Sequence, residues 1–208
     1  MMKTKSFRKI LGIAFAIVLI ISCIGPASAV VNPPSDTNTV QEYLSGSAAY
    51  PHGIYAVMST GADVVVQQDV PNTTVRHVQG TGVSISISGG QSYTASLSGN
   101  LDCNGASQLG ADIAASAAYA FARLYSGLDV EMSASFTSNP NITYILDADE
   151  PEGVYHLAVF FPGKEVIKQV SGINDRQFAV TLWQETIEFA PVYDVENDNI
   201  PYVAYTRS

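Results

Sequence analysis

The stretch Val83-Ser84-Ile85-Ser86-Ile87-Ser88-Gly89-Gly90-Gln91-Ser92-Tyr93-Thr94-Ala95-Ser96-Leu97-Ser98 decides the fold class. Apolar residues alternate with small hydroxyls, the period of a strand that buries one side and keeps the other in water. No charged residue interrupts it. The spacing predicts two strands, 83–88 and 93–98, closed by Gly89-Gly90 into a β-hairpin spanning 82–99.

Working outward, the same grammar recurs. Upstream, residues 54–58 and 64–66 are β-branched runs separated by Ser59-Thr60-Gly61-Ala62-Asp63, which has the composition of a hairpin turn. Downstream, residues 128–136 alternate again, with Asp129 and Glu131 on the wet side. Further strands are expected at 142–146, 154–161, 166–170, 178–183, 187–192 and 202–206. Turn signals such as Pro162-Gly163-Lys164 separate them. Between these blocks the period changes. Residues 105–126 are Ala-rich, and Leu109, Ile113, Ala117, Ala120, Phe121 and Leu124 share one helical face, with Asn104 or Ser107 as the cap. The expected fold is mainly β, an antiparallel β-sandwich or irregular barrel with one Ala-rich helix packed on it; an α+β arrangement is the alternative.

The N-terminus reads as an address. A basic start, an apolar run over residues 10–21 and the small residues Ala27 and Ala29 fit a cleavable secretory signal over 1–29, with Val30 as the first mature residue. The run is shorter than the ~18–20 residues of a membrane-spanning helix. Ile20-Ile21-Ser22-Cys23 competes with this reading, because it resembles the lipobox of bacterial lipoproteins, in which Cys23 is lipidated. Residues 30–47 are expected to be a flexible leader and 48–208 a single β-rich domain. The location implied is secreted, extracellular or on the outer cell surface.

Charge then excludes partners. The chain has 10 Lys+Arg against 19 Asp+Glu, a net charge of −9. Four of the basic residues lie within the first nine positions, so the domain past residue 29 carries 6 − 19 = −13. Nucleic acid and anionic lipid headgroups both need clustered cations, so neither is an expected partner.

Candidate chemistry is sparse. His52, His77 and His156 have no metal-ligand spacing, and no nucleophile elbow or phosphate loop occurs. Cys103 is the single cysteine past the signal, open to burial, to pairing between chains or to a distant Cys–His pairing. Two acidic turns, Asp147, Asp149, Glu150 and Glu152, and Asp194, Glu196 and Asp198, place carboxylates where they can converge on calcium; a solvated loop is the other reading. Asn72 and Asn141 open glycosylation sequons, and Tyr193, Tyr202 and Tyr205 crowd the C-terminal region.

Three functions compete. The first is a secreted or surface-tethered, non-enzymatic β-domain for adhesion, envelope structure or ligand binding, with a protein, a glycan or itself as partner. The second is a membrane-active, pore-forming protein using the neutral hairpin 82–99, whose arms fall short of the ~9–11 residues that span a bilayer. The third is a secreted hydrolase with a carboxylate pair drawn from Asp147, Asp149, Glu185 and Glu188. No cofactor is expected other than calcium.

Overall fold

The computed structural model describes residues 39–97, 101–103, 105–139, 143–196 and 198–208. The proposed signal, its cleavage site at Ala27, Ala29 and Val30, Cys23 and the sequon Asn141 lie outside them. The architecture is mainly β with one helix, as the alternation predicts.

One strand organises the molecule. β8 (Gly153–Ile173) is 21 residues long and pairs antiparallel along both edges. On one edge lies β2 (Ile54–Asp69), followed in line by β3 (Val75–His77). On the other lies β9 (Ala179–Pro191), followed in line by β10 (Tyr202–Arg207). β1 (Thr39–Tyr43) closes the outer edge of β2, so part of the expected leader is a paired strand.

The three expected interruptions in these strands are not turns. Ser59–Asp63 forms a bulge within β2, where the register shifts between Thr60 and Asp63. Gly61 leaves room there for the Glu165 side chain, whose Cβ would lie 3.1 Å and carboxylate 2.8 Å from an added Cβ. Pro162, inside β8, accepts from the Val192 N–H (3.1 Å) on the side where β9 has ended and β10 has not begun. A missing N–H costs little at that gap. Gly163 follows because a Cβ would collide with the Phe189 ring and lie 2.6 Å from the Ala190 carbonyl. The two expected strands at 178–183 and 187–192 are likewise one, β9.

The predicted hairpin is also corrected. β4 (Val83–Ser86) pairs with β7 (Thr143–Leu146), and β5 (Ser92–Ser96) pairs with β6 (Ser133–Thr137). The offset is the same in both ladders, from Val83↔Leu146 to Ser96↔Ser133, so 83–97 faces 132–139 and 143–146 across one interrupted ribbon. Gly89-Gly90 marks a kink in one arm. Buried Ser138 holds it, its hydroxyl donating toward the Ser88 and Gln91 carbonyls (3.0 and 3.1 Å) and accepting from the Gln91 N–H (3.0 Å). Alternation sets which side of an arm is buried, not which arm it pairs with.

The ribbon's two arms are joined through α1 (Ala111–Leu124), flanked by 3-10 turns at Ser107–Leu109 and Tyr125–Gly127. Gly110, at φ 77°, precedes the helix in place of the expected side-chain cap. The predicted face is the buried one: Ala117, Ala120 and Phe121 are inside, with Ile113 and Leu124 partly so.

Two cores result, and they lie on opposite faces of the sheet. In β8 the buried positions are Tyr155, Leu157, Val159 and Phe161, then Val166, Lys168 and Val170. That change of parity turns the buried side over, because successive side chains alternate. The neighbours keep step by each inserting one extra residue opposite Glu165, in β2 between Thr60 and Asp63 and in β9 between Ile187 and Ala190. The ribbon packs on one face through Ile85, Ile87, Ala95 and Ala134, and α1 packs on the other. The Glu131 N–H donates to the Pro191 carbonyl (2.6 Å), where the chain entering the ribbon from the helix meets the end of β9.

Candidate functional site

Each half of the sheet is thus covered on one face and open on the other. The half built from β3, β10 and the first part of β8 leaves open the face opposite the ribbon. Register places its side chains in rows: Val65 with Pro162; Gln67, Phe160 and Tyr202; Asp69, Ala158 and Ala204; His156 with Thr206.

Two groups there bear on recognition. Phe160 and Tyr202 stack with centroids 5.2 Å apart and planes 13° apart, and Tyr202, on the outermost strand, is 46% exposed. One face of the phenol ring is therefore covered by Phe160 while the other meets solvent. Beside this pair runs a hydrogen-bonded polar line. Gln67 Nε2 donates to Asp69 Oδ1 (2.8 Å), His156 Nε2 meets Asp69 Oδ1 (3.1 Å), and His156 Nδ1 meets Ser208 Oγ (3.0 Å). The Gln67 amide and then His156 hold the Asp69 carboxyl below its ordinary range. Serine, histidine and aspartate in line resemble a nucleophilic triad in composition, but the Asp69 side chain is 66% exposed. Water competes for it, so the line orients His156 and lacks the buried carboxylate that such catalysis uses.

The sequence-derived candidates are dispersed. Asp147, Asp149, Glu150 and Glu152 occupy the turn before β8, where Glu150 accepts from the Tyr205 hydroxyl (2.7 Å) and Glu152 pairs with Arg76 (3.5 Å). That hydrogen bond, with some burial, pushes the Tyr205 hydroxyl up to about 12. Asp194, Glu196 and Asp198 lie in the loop between β9 and β10, where Asp194 Oδ1 accepts from the Glu196 N–H (2.9 Å). Among the described residues, no group of three or more His, Cys, Asp or Glu comes together as a metal centre. The hydrolase candidates are split as well: Asp147 and Asp149 precede β8, whereas Glu185 pairs with Lys168 far along it.

Asn72 is exposed in a turn at φ 63°, accessible to a glycan. Cys103 is half-buried beside the helix-side core, and burial pushes its thiol up, opposite to what a reactive thiolate needs. His77 and His156 sit towards the other end of β8, and the His52 N–H bonds the Ile173 carbonyl (3.4 Å). Of the three tyrosines near the C-terminus, Tyr202 reaches the open face, Tyr205 points into the ribbon-side core, and Tyr193 is exposed in the loop.

Sequence reasoning missed Val65, Gln67, Asp69, His156 and Phe160 as one surface. Their parity within each strand was readable, but the rows they form depend on the bulge in β2 and on the register of β10. Comparison of the chain with known protein families, with curated proteins and with solved structures gives no match.

Proposed function

We propose that the chain is an exported, non-enzymatic β-domain that binds a neutral glycan on the open face around Tyr202. The observation that carries this reading is the Phe160–Tyr202 stack beside the Gln67–Asp69–His156 line. A sugar ring presents apolar C–H groups on its faces and hydroxyls at its rim. A half-exposed aromatic face satisfies the first. Planar amide, carboxylate and imidazole groups, already oriented by one another, satisfy the second at low ordering cost. The acidic excess disfavours anionic polymers and leaves neutral ones acceptable.

Titration calorimetry of the purified chain against a panel of soluble neutral polysaccharides tests this. At least one polymer is expected to bind, with Tyr202→Ala weakening it tenfold or more while the melting temperature stays within about 2 °C. Tyr193→Ala, in the loop, is expected to leave binding unchanged. Binding that survives Tyr202→Ala, or no binding across the panel, would count against the glycan and favour a protein partner.

A further inference from the structure

We propose that two copies of the chain associate edge to edge through β1, with Gln41 opposite Gln41 of the second copy across a two-fold axis, so that the sheet runs from one molecule into the next. The inference goes beyond the glycan face and does not depend on it, since Tyr202 lies on the other border of the sheet.

The backbone decides which groups are available. The Leu44 N–H donates to the Ile54 carbonyl (2.7 Å), in the register that pairs Thr39 with Ser59. Along an antiparallel strand, alternate residues turn both backbone groups to the same neighbour. Val40, Glu42 and Leu44 therefore bond β2, and Thr39, Gln41 and Tyr43 turn theirs outward. Among the described residues nothing bonds those outward groups. Such a row is a template for another strand unless proline, lysine, a bulge or an exposed charge blunts it. β1 carries none of these: its register with β2 is unbroken, and its single charge, Glu42, faces the helix and pairs with Arg123 (2.8 Å). The other borders are guarded. Pro201 precedes β10 and Arg207 ends it, and the Gln108 amide bonds the outward Leu182 carbonyl of β9 (3.0 Å).

The side chains fit a second copy of the same strand. A two-fold axis at Gln41 sets outward groups against outward groups, Thr39 against Tyr43 and Gln41 against itself, and each such pair exchanges two hydrogen bonds. Opposed residues share parity, so each face of the sheet continues into the same face of the other copy. On the open face the new neighbours are amide beside amide and threonine beside tyrosine, with no carboxylate, in a chain that has 19. On the helix side Val40 comes opposite Glu42 of the second copy. There a groove of about 400 Å³ runs between β1 and α1, lined by Glu42, Leu44, Ala115, Ser116 and Tyr119, the last 50% exposed. Small residues on that face of α1 leave room for an incoming strand, and Tyr119 supplies apolar surface to its Val40. Each Glu42 keeps its own Arg123, so no bare like charges meet beside the axis. One five-residue strand per copy is a small contact, and the association is expected to be reversible.

Sedimentation equilibrium of the purified chain in reductant, from about 1 μM to about 1 mM, tests this and is expected to show a monomer–dimer equilibrium. Gln41→Pro removes one outward N–H and no bond to β2. It is expected to weaken the dimer at least tenfold while the melting temperature of the dilute chain stays within about 3 °C. Gln41→Ala keeps the N–H and is expected to stay within about threefold of the native chain. A monomer at every concentration overturns the proposal. So does a dimer that Gln41→Pro leaves intact, as association through Cys103, the N-terminal apolar run or another sheet edge would give. Equal loss in both variants places the contact in the Gln41 side chain and overturns strand pairing. Should Gln41→Pro fail to fold, amide exchange in the native chain reads the same geometry. Raising the concentration is expected to slow Thr39, Gln41 and Tyr43 several-fold and to leave Val40 and Glu42 unchanged, whereas exchange without that alternation overturns the pairing.

Discussion

The helix-covered and ribbon-covered halves of the sheet solve one problem in opposite ways. In the first, Phe121 and Trp183 meet at 6.1 Å over Val166 and Val170, and a lysine is buried with them. In the second, Leu157, Val159 and Phe161 are covered by Ile85, Ile87, Ala95 and Ala134, with Tyr93, Phe136 and Tyr144 partly buried around them, and among the described residues that core holds no Lys, Arg, Asp or Glu. The half with the helix therefore packs large against large and contains an ion pair. The half with the ribbon packs an uncharged surface against its sheet. The difference teaches how one long strand serves two layers: β8 runs on without a bulge while both neighbours bulge, and the buried side turns over at Glu165.

Truncating one fully buried side chain in each core should separate the halves most strongly. Phe121→Ala is expected to cost about 3–5 kcal/mol and Leu157→Ala about 2–5 kcal/mol, by chemical denaturation. Hydrogen exchange sharpens the contrast. Phe121→Ala should lower protection in α1 and β1 first, and Leu157→Ala in β4 to β7. Uniform loss in both variants would show that the halves unfold as one unit and would break the comparison.

The buried ion pair gives a smaller effect of either sign. Lys168 is 1% exposed at its side chain, lies 3.0 Å from Glu185 Oε2, donates to the Asp102 carbonyl (2.7 Å) and sits 5.5 Å from the Trp183 ring. Glu185→Ala removes a partner from a buried charge. Its cost is expected near 2 kcal/mol, below the ~3–5 kcal/mol of a wholly enclosed pair, because Glu185 is 40% exposed. Lys168→Met fills similar volume without charge and is expected to be neutral or stabilising. A loss above about 2 kcal/mol for Lys168→Met would mean that the ion pair, not the packing, holds that half together.

The smallest effect lies in the ribbon-covered half, at Tyr205. Its raised hydroxyl, bonded to Glu150, contributes stability that is whole below the ordinary tyrosine value near 10 and is lost as pH rises towards about 12. Tyr205→Phe should therefore lower the melting temperature slightly at pH 8 and lose that difference by pH 12. A gap that persists at pH 12 would assign the effect to packing.

What could be read in advance was local. Residues 83–98 declared which of their sides is buried, and residues 105–126 declared a helix and its inner face. What could not be read was pairing. Gly89-Gly90 looks like a hairpin turn and is a kink; Ser59–Asp63 looks like a turn and is a bulge; Pro162 looks like a strand end and sits mid-strand beside a gap. The physical reason is that backbone hydrogen bonds are nearly blind to side chains. Alternation and propensity therefore specify the side that faces the core, whereas partner, register and the face left open follow from how whole elements pack. Hence this sequence by itself determined a β-rich, acidic chain with one helix and an uncharged amphipathic stretch. Only the tertiary structure decided that this stretch is half of a long ribbon, and that Tyr202 stands with Phe160 and His156 on an open face.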